Sequence, residues 1–158
     1  AAMFRELESN TLKKYQAKKT AICELVKKNA LLKTKVVQQD EFEKNERRLL
    51  NFGHTLGHAL ENQYELSHGQ AISIGMTYAS HISQQLNGFK ETARVVTVLE
   101  KYGLPTYASF EKDKVFNVLK MDKKREKSEM NYVLLEKIGK GVVKSIPIKE
   151  LESIIKGL

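Results

Sequence analysis

The sequence predicts a mainly α-helical domain with a small β-hairpin near its C-terminus. Apolar residues recur at helical spacing over most of the 158 residues, whereas an alternation of period two appears only late in the chain. No strand–helix–strand alternation, internal repeat or low-complexity segment is present, which argues against a dinucleotide-binding fold. A chain of this length is expected to form a single domain, residues 1–158, around one core.

The elements follow in chain order from apolar spacing and end signals. Residues 3–34 predict two helices that divide around Ser9 and Asn10, and residues 36–48 predict the end of a helix and an acidic loop. Asn51 is a plausible N-cap for the helix behind it. Further helices are predicted over residues 68–86, 91–103, 111–121 and 149–158, which makes about seven, with a hairpin formed by residues 130–138 and 141–148.

Composition and charge narrow the class of protein. Hydrophobic residues make up 41% and charged residues 29% of the chain, which is typical of a soluble globular domain, and no membrane span or signal peptide is expected. The net charge is +8, but the lysines are spread along the chain without interleaved aromatic residues. We therefore expect no nucleic-acid partner and favour an anionic small substrate. The single cysteine, Cys23, indicates a cytoplasmic setting.

Three of the four histidines fall within residues 54–68, which suggests a site. His54 and His58 are four residues apart on one predicted helix and therefore share a face, and an antiparallel helix pair would bring His68 back to them. Two imidazoles, one carboxylate and an open position form a recurring catalytic zinc arrangement. Gly53 and Gly57 in the same helix suggest that backbone or ligand approaches it closely.

The alternative is that these histidines are structural residues near helix ends, the interpretation we prefer for His81 in its apolar helix. The identity of the carboxylate ligand is also undecided. Glu61 and Glu65 could each ligate, but no acidic residue is required by its spacing, which suggests that the carboxylate lies outside this chain. Because Thr55 follows His54, the metalloprotease HExxH motif is absent.

The segment "RRLLNFGHTLGHALE", followed by "LSHGQAISIGM", resembles the signature of the 3-dehydroquinate synthase family. "KTKVVQQDE" before it, and "YGLP" and "DKKREKSEMNYVLLEKIGK" after it, agree in order, so that the resemblance runs from about Phe4 to about Ile148. It implies the C-terminal, mostly helical zinc- and substrate-binding domain of a two-domain enzyme. The N-terminal NAD-binding domain, and the segment that carries the glutamate zinc ligand, would be absent from this chain.

The resemblance also implies roles for single residues. His54 and His68 would ligate zinc, or cobalt in its place, and His58 would assist proton transfer beside the substrate phosphate. Substrate-binding residues would be Lys33, Arg47 and Asn51, and a catalytic lysine would be Lys123 or Lys124. The family commonly reads "HGE" where this chain has "HGQ", so that Gln70 removes a charge beside His68.

The implied activity is the NAD- and zinc-dependent cyclisation of 3-deoxy-D-arabino-heptulosonate 7-phosphate to 3-dehydroquinate with release of phosphate, a step of the shikimate pathway. The full-length enzyme would be a homodimer, and this chain alone would be inactive. Two alternatives stay open: a sister sugar-phosphate cyclase, such as a 2-deoxy-scyllo-inosose or valiolone-type synthase, and a non-catalytic metal-binding helical module.

Overall fold

The computed structural model describes residues 1–121 and 128–158, and within them it contains eight α-helices, one 3-10 helix and one antiparallel hairpin. The elements in chain order are α1 (Ala2–Ser9), α2 (Leu12–Ala17), α3 (Lys19–Gln39), the 3-10 helix (Glu46–Asn51), α4 (His54–Gln63), α5 (His68–Asn87), α6 (Thr92–Lys101), α7 (Lys112–Met121), β1 (Glu129–Lys137), β2 (Lys140–Pro147) and α8 (Ile148–Gly157). The predicted fold class, helical with a hairpin near the C-terminus, is confirmed.

The predicted elements from α5 onwards are confirmed to within a few residues. Gly103 ends α6 with φ +72°, and the next amide, that of Leu104, donates to the Leu99 carbonyl at 3.0 Å. β1 and β2 pair in antiparallel register, with Val133 opposite Val143, and Gly139 in the turn has φ +86°. Local glycine signals therefore locate these ends correctly.

The prediction of two helices at the N-terminus is wrong, because the second one is broken at Lys18. α1 ends at Ser9 as predicted, but Lys18 is extended and separates α2 from α3. Tyr15, the one buried residue of α2, packs against the Tyr102 ring at a centroid distance of 6.2 Å. We attribute the break at Lys18 to this contact with a distant residue, since no glycine or proline marks it in the sequence.

The prediction that Asn51 caps the histidine-bearing helix is also wrong. Asn51 ends the 3-10 helix, and Gly53 is the N-cap of α4 with φ +80°. The Asn51 side chain donates instead to the Glu43 carboxylate at 2.5 Å. A turn through the left-handed region requires glycine, so the chain begins α4 two residues later than the capping rule suggests.

The core lies around α5, which contacts α4, α6, β1 and α8. α7 packs against α4, and the Ser83 hydroxyl of α5 accepts from the Leu135 amide of β1 at 2.8 Å. The fully buried side chains of this core include Leu56, Leu60, Ile74, Ile82, Phe116, Tyr132, Leu134, Leu151 and Ile155. The histidine-bearing helices are thus the centre of the domain.

The longest helix, α3, lies at the periphery and has no buried residue. Ile22, Val26, Leu31 and Leu32 are all exposed on it. It contacts α2 and the 3-10 helix. Within the described residues, neither α3 nor any other helix combines the length and apolar character needed to cross a membrane.

Candidate metal and substrate site

The three clustered histidines come together between the start of α4 and the start of α5. Ring centroids lie 5.2 Å apart for His54 and His58, 5.7 Å for His54 and His68, and 5.8 Å for His58 and His68. One potential ligand atom of each residue lies within 4.8 Å of the others. The prediction that an antiparallel helix pair returns His68 to His54 is confirmed.

Three glycines let the two helices meet backbone to backbone. A Cβ atom on Gly75 of α5 would lie 2.0 Å from the Gly53 carbonyl oxygen and 2.9 Å from the Gly57 amide nitrogen. A Cβ atom on Gly57 would lie 2.7 Å from Cδ1 of Ile72. The close approach predicted from Gly53 and Gly57 is therefore that of α5, and it sets the distance between the histidines.

A capping box determines where α5 begins. The Ser67 hydroxyl accepts from the Gln70 amide at 3.4 Å, and the Gln70 side-chain oxygen accepts from the Ser67 amide at 2.9 Å. His68 is consequently the first residue of the helix. Glutamine is sufficient for this cap, since its side-chain oxygen supplies the acceptor.

The histidines differ in what holds the Nδ1 atom of each ring. Nδ1 of His54 lies 3.2 Å from the Phe52 carbonyl oxygen, and Nδ1 of His68 lies 3.1 Å from Oε2 of Glu61. Among the residues that the structure describes, the His58 ring makes no hydrogen bond. Metal-binding histidines usually donate one ring N–H to a carbonyl or carboxylate, so His54 and His68 have the backing expected of ligands.

Electrostatics favour the neutral form of His54. Burial lowers the pKa of His54, and nearby His58 and His68 lower it further, while the Phe52 carbonyl and Glu61 oppose the shift. A neutral imidazole offers a lone pair to a metal. This residue is therefore available as a ligand at a lower pH than an ordinary histidine.

A cavity of about 380 Å³ opens beside the histidines, between the 3-10 helix, α4 and the hairpin. Its described lining includes the predicted residues His54, His58 and Asn51, together with Glu43 and Arg48, which were not predicted. Glu43 has φ +53° and its backbone carbonyl accepts from Nε of Arg48 at 2.9 Å. Neither feature has a local sequence signal.

Among the residues that the structure describes, neither Arg47 nor Lys33 lines this cavity. The Arg47 guanidinium donates to the Glu41 carbonyl at 2.5 Å and lies 3.9 Å from the Glu43 carboxylate, and it is not among the described lining residues. Lys33 lines a separate apolar groove between α3 and Leu50. Lys123 and Lys124 lie outside the described residues.

Asp40 shapes the loop that carries Glu43 and Arg47. Its buried carboxylate accepts from the backbone amides of Lys44, Asn45 and Arg47 at 2.9, 2.7 and 3.0 Å. Burial by itself raises the pKa of Asp40, but the three amides and the positive charge of Arg47 together outweigh it and hold that pKa below the ordinary value. The loop therefore depends on the charged form of this carboxylate.

Comparison with known proteins places this chain in a family. The family model described as "3-dehydroquinate synthase C-terminal" matches residues 1–125. Relatives named 3-dehydroquinate synthase are 35% identical over 98% of the chain in Thermoanaerobacter pseudethanolicus, 37% over 99% in Caldanaerobacter subterraneus, and 41% over 84% in Methylacidiphilum infernorum. The chain spans between 39% and 45% of the length of these relatives.

Solved structures of sister cyclases have the same fold. A 2-deoxy-scyllo-inosose synthase in complex with carbaglucose-6-phosphate, NAD+ and Co2+ matches 79% of this chain and 39% of its own, with a TM-score of 0.67 and 27% identity. A 2-epi-5-epi-valiolone synthase from Streptomyces hygroscopicus matches 87% and 40%, with a TM-score of 0.72 and 23% identity. With its histidine signature and this extent of similarity, the chain belongs to the 3-dehydroquinate synthase C-terminal family.

Proposed function

We propose that this chain forms the metal- and substrate-binding domain of a 3-dehydroquinate synthase. The full protein would convert 3-deoxy-D-arabino-heptulosonate 7-phosphate to 3-dehydroquinate with release of phosphate, as a carbon–oxygen lyase of the shikimate pathway in the cytoplasm. An N-terminal domain of the same protein would bind NAD, and the whole enzyme would be a homodimer. The relatives at 35–41% identity, all more than twice as long as this chain, support this division.

The observation that carries the proposal is a difference between the three histidines in the hydrogen bonding of their Nδ1 atoms. His54 and His68 each have Nδ1 held by an oxygen, whereas His58 has no such contact among the described residues. This difference supports His54 and His68 as zinc ligands and leaves the His58 ring available for proton transfer beside the substrate. The donor set of imidazoles within 4.8 Å fits zinc or cobalt, with a carboxylate supplied from outside this chain.

When bound, zinc would supply Lewis-acid polarisation of a substrate hydroxyl, and NAD would supply a hydride acceptor. The remaining proposed roles belong to side chains that bind the two anionic ends of the substrate. Asn51 would donate a hydrogen bond from the cavity wall, and Arg47, Lys33 and one of Lys123 and Lys124 would supply positive charge. These three cationic residues would connect part of the +8 charge to a substrate that carries a carboxylate and a phosphate.

Zinc stoichiometry and turnover in the full-length protein test this proposal. We expect one tightly bound zinc by calorimetry and phosphate release from the heptulosonate phosphate, with both lost in His54→Ala and His68→Ala. His58→Ala should retain zinc and lose turnover. The matched control is His81→Ala, which removes a histidine from the same helix as His68 but outside the cluster. Tight zinc binding by residues 1–158 alone would contradict the assignment of the carboxylate ligand to another segment.

A sister sugar-phosphate cyclase is the second candidate, because solved cyclases of that kind share the fold at up to 27% identity. The same phosphate-release assay with glucose 6-phosphate, and a ketose cyclisation assay with sedoheptulose 7-phosphate, would separate these activities. We expect turnover of the heptulosonate phosphate only, since the relatives at higher identity are named 3-dehydroquinate synthase. Preferential turnover of another sugar phosphate would favour the sister activity.

A further inference from the structure

Glu61 contacts the histidine cluster but has no part in the function proposed above. It lies on α4, and its Oε2 atom is 3.1 Å from Nδ1 of His68 at the start of α5. We propose that Glu61 is a positioning residue, which fixes the tautomer and the orientation of the His68 ring. The assumption that a metal binds the other ring nitrogen rests on the proposed function, whereas the contact between Glu61 and His68 does not.

The need for such a contact follows from the exposure of His68. Its side chain is 58% exposed, so packing alone restricts the ring less than it would restrict a buried one. Among the described residues, Glu61 supplies the hydrogen bond to this ring that restricts it. His54 differs, because it is partly buried and its Nδ1 atom faces a backbone carbonyl that no substitution of a side chain removes. The orientation of the exposed His68 ring therefore depends on the Glu61 side chain, whereas that of the partly buried His54 ring depends on a backbone carbonyl.

The chemistry of imidazole determines which ring nitrogen of His68 this contact leaves free to bind a metal. With Nδ1–H donated to the carboxylate, Nε2 keeps its lone pair and becomes the nitrogen available to a metal. The two ring nitrogens point away from each other, so an oxygen hydrogen-bonded to Nδ1 does not share a metal with Nε2 of the same ring. The arrangement therefore favours Glu61 as support for a ligand over Glu61 as the missing ligand.

The remaining alternative is an ordinary surface ion pair. Glu61 is 34% exposed, and exposed pairs of this kind add little to stability. If Glu61 and His68 form only a surface pair, substitution of Glu61 should leave metal binding unchanged. Loss of a carboxylate that supports a metal-binding histidine, in contrast, usually lowers metal affinity by about ten- to a hundredfold. The two alternatives differ in metal affinity and in the tautomer of His68, and not in stability.

The test uses the full-length protein, labelled with nitrogen-15 at histidine, as wild type and as Glu61→Ala, Glu61→Gln and Glu65→Ala. Glu65 is the matched control, since it is an exposed glutamate between the same two helices. Long-range proton–nitrogen spectra of the metal-free protein give the tautomer of neutral His68, and calorimetry with zinc gives the affinity. Circular dichroism and the thermal midpoint establish that each variant folds.

We expect the Nδ1–H tautomer of His68 in the wild type and in Glu65→Ala. In Glu61→Ala, we expect a shift towards the Nε2–H tautomer and a loss of zinc affinity of about ten- to a hundredfold. Glu61→Gln keeps an acceptor oxygen and should recover part of both.

An unchanged tautomer in folded Glu61→Ala would overturn the proposal, and so would an unchanged zinc affinity. Complete loss of zinc binding in both Glu61 variants would also overturn it, because it would make Glu61 a ligand. If the tautomer shifts as expected but the wild type binds no zinc, the positioning of His68 stands and the proposed function fails.

Discussion

α3 and α5 are helices of 21 and 20 residues with opposite relations to the core. Eleven residues of α5 are buried, and it carries His68 at its start. None of the residues of α3 is buried, although it carries several apolar side chains and Lys33. His68, a proposed metal ligand, is therefore carried by a largely buried helix, whereas the proposed substrate residue Lys33 is carried by a helix with no buried residue.

The largest expected effect comes from removing the same side chain from each helix. Ile74 of α5 is fully buried and Ile22 of α3 is 44% exposed. Ile74→Ala should lower the free energy of unfolding by about 2–5 kcal/mol, because it leaves a cavity in the core. Ile22→Ala should change it by less than about 0.5 kcal/mol. Urea unfolding measures both, and equal losses would show that α3 is packed as firmly as α5.

A second substitution breaks the contact between α4 and α5 directly. Gly75→Ala would place a Cβ atom 2.0 Å from the Gly53 carbonyl oxygen, which is backbone and cannot rotate away. We expect a loss of about 1–3 kcal/mol in the free energy of unfolding, since the helices must separate, and a weaker zinc affinity in the full-length protein.

Gly69→Ala is the control for this change, because it lies in the same helix and its Cβ atom would meet open space. Alanine is a better helix former than glycine, so the thermal midpoint should rise or stay the same. If both variants lost equal stability, the loss would reflect helix α5 itself and not its approach to α4.

A smaller, pH-dependent effect is expected where α3 leads into the site, at Asp40. The folded-state pKa of Asp40 is lowered, so its stabilisation of the loop is fully present above the ordinary aspartate pKa and is lost as the pH falls through the lowered value. Amide exchange at Lys44, Asn45 and Arg47, corrected for intrinsic rates, should lose protection over that range.

Asp40→Asn should remove this pH dependence, and Glu41→Gln, at the exposed neighbouring position, should leave it intact. Protection of the three amides that persisted to a pH well below the titration of Asp40 would contradict the role given to this carboxylate.

The smallest effect is expected at Cys23, an exposed free thiol on α3. Cys23→Ser should leave the free energy of unfolding within about 0.5 kcal/mol of the wild type, because the side chain has no buried contact to lose. A thiol reagent should also modify Cys23 in the native protein as fast as in urea, without loss of helicity. Protection of this thiol in the native state would show that α3 is covered in solution.

Much of the fold was predictable because the signals that specify it are local. The helices from His68 onwards, the end of α6 at Gly103 and the hairpin all follow from residues within a few positions of one another. The break at Lys18 was not predictable, since Tyr15 beside it packs against Tyr102, which is distant in sequence. The start of α4 at His54 was not either, because the Asn51 side chain donates to Glu43 and Gly53 takes the N-cap position in its place.

The candidate site divides in the same way. The spacing of His54 and His58, and the two helices that return His68 to them, follow from periodicity, so the local pattern of residues is enough to predict which histidines meet. Their surroundings could not be predicted in this way and follow from the folded chain: the Glu61 contact with His68, and Glu43 and Arg48 beside the cavity. The physical reason is that helix periodicity determines which face a side chain occupies, whereas its partners on another element depend on how closely the backbones approach, and at Gly75 that distance is set by the absence of a side chain.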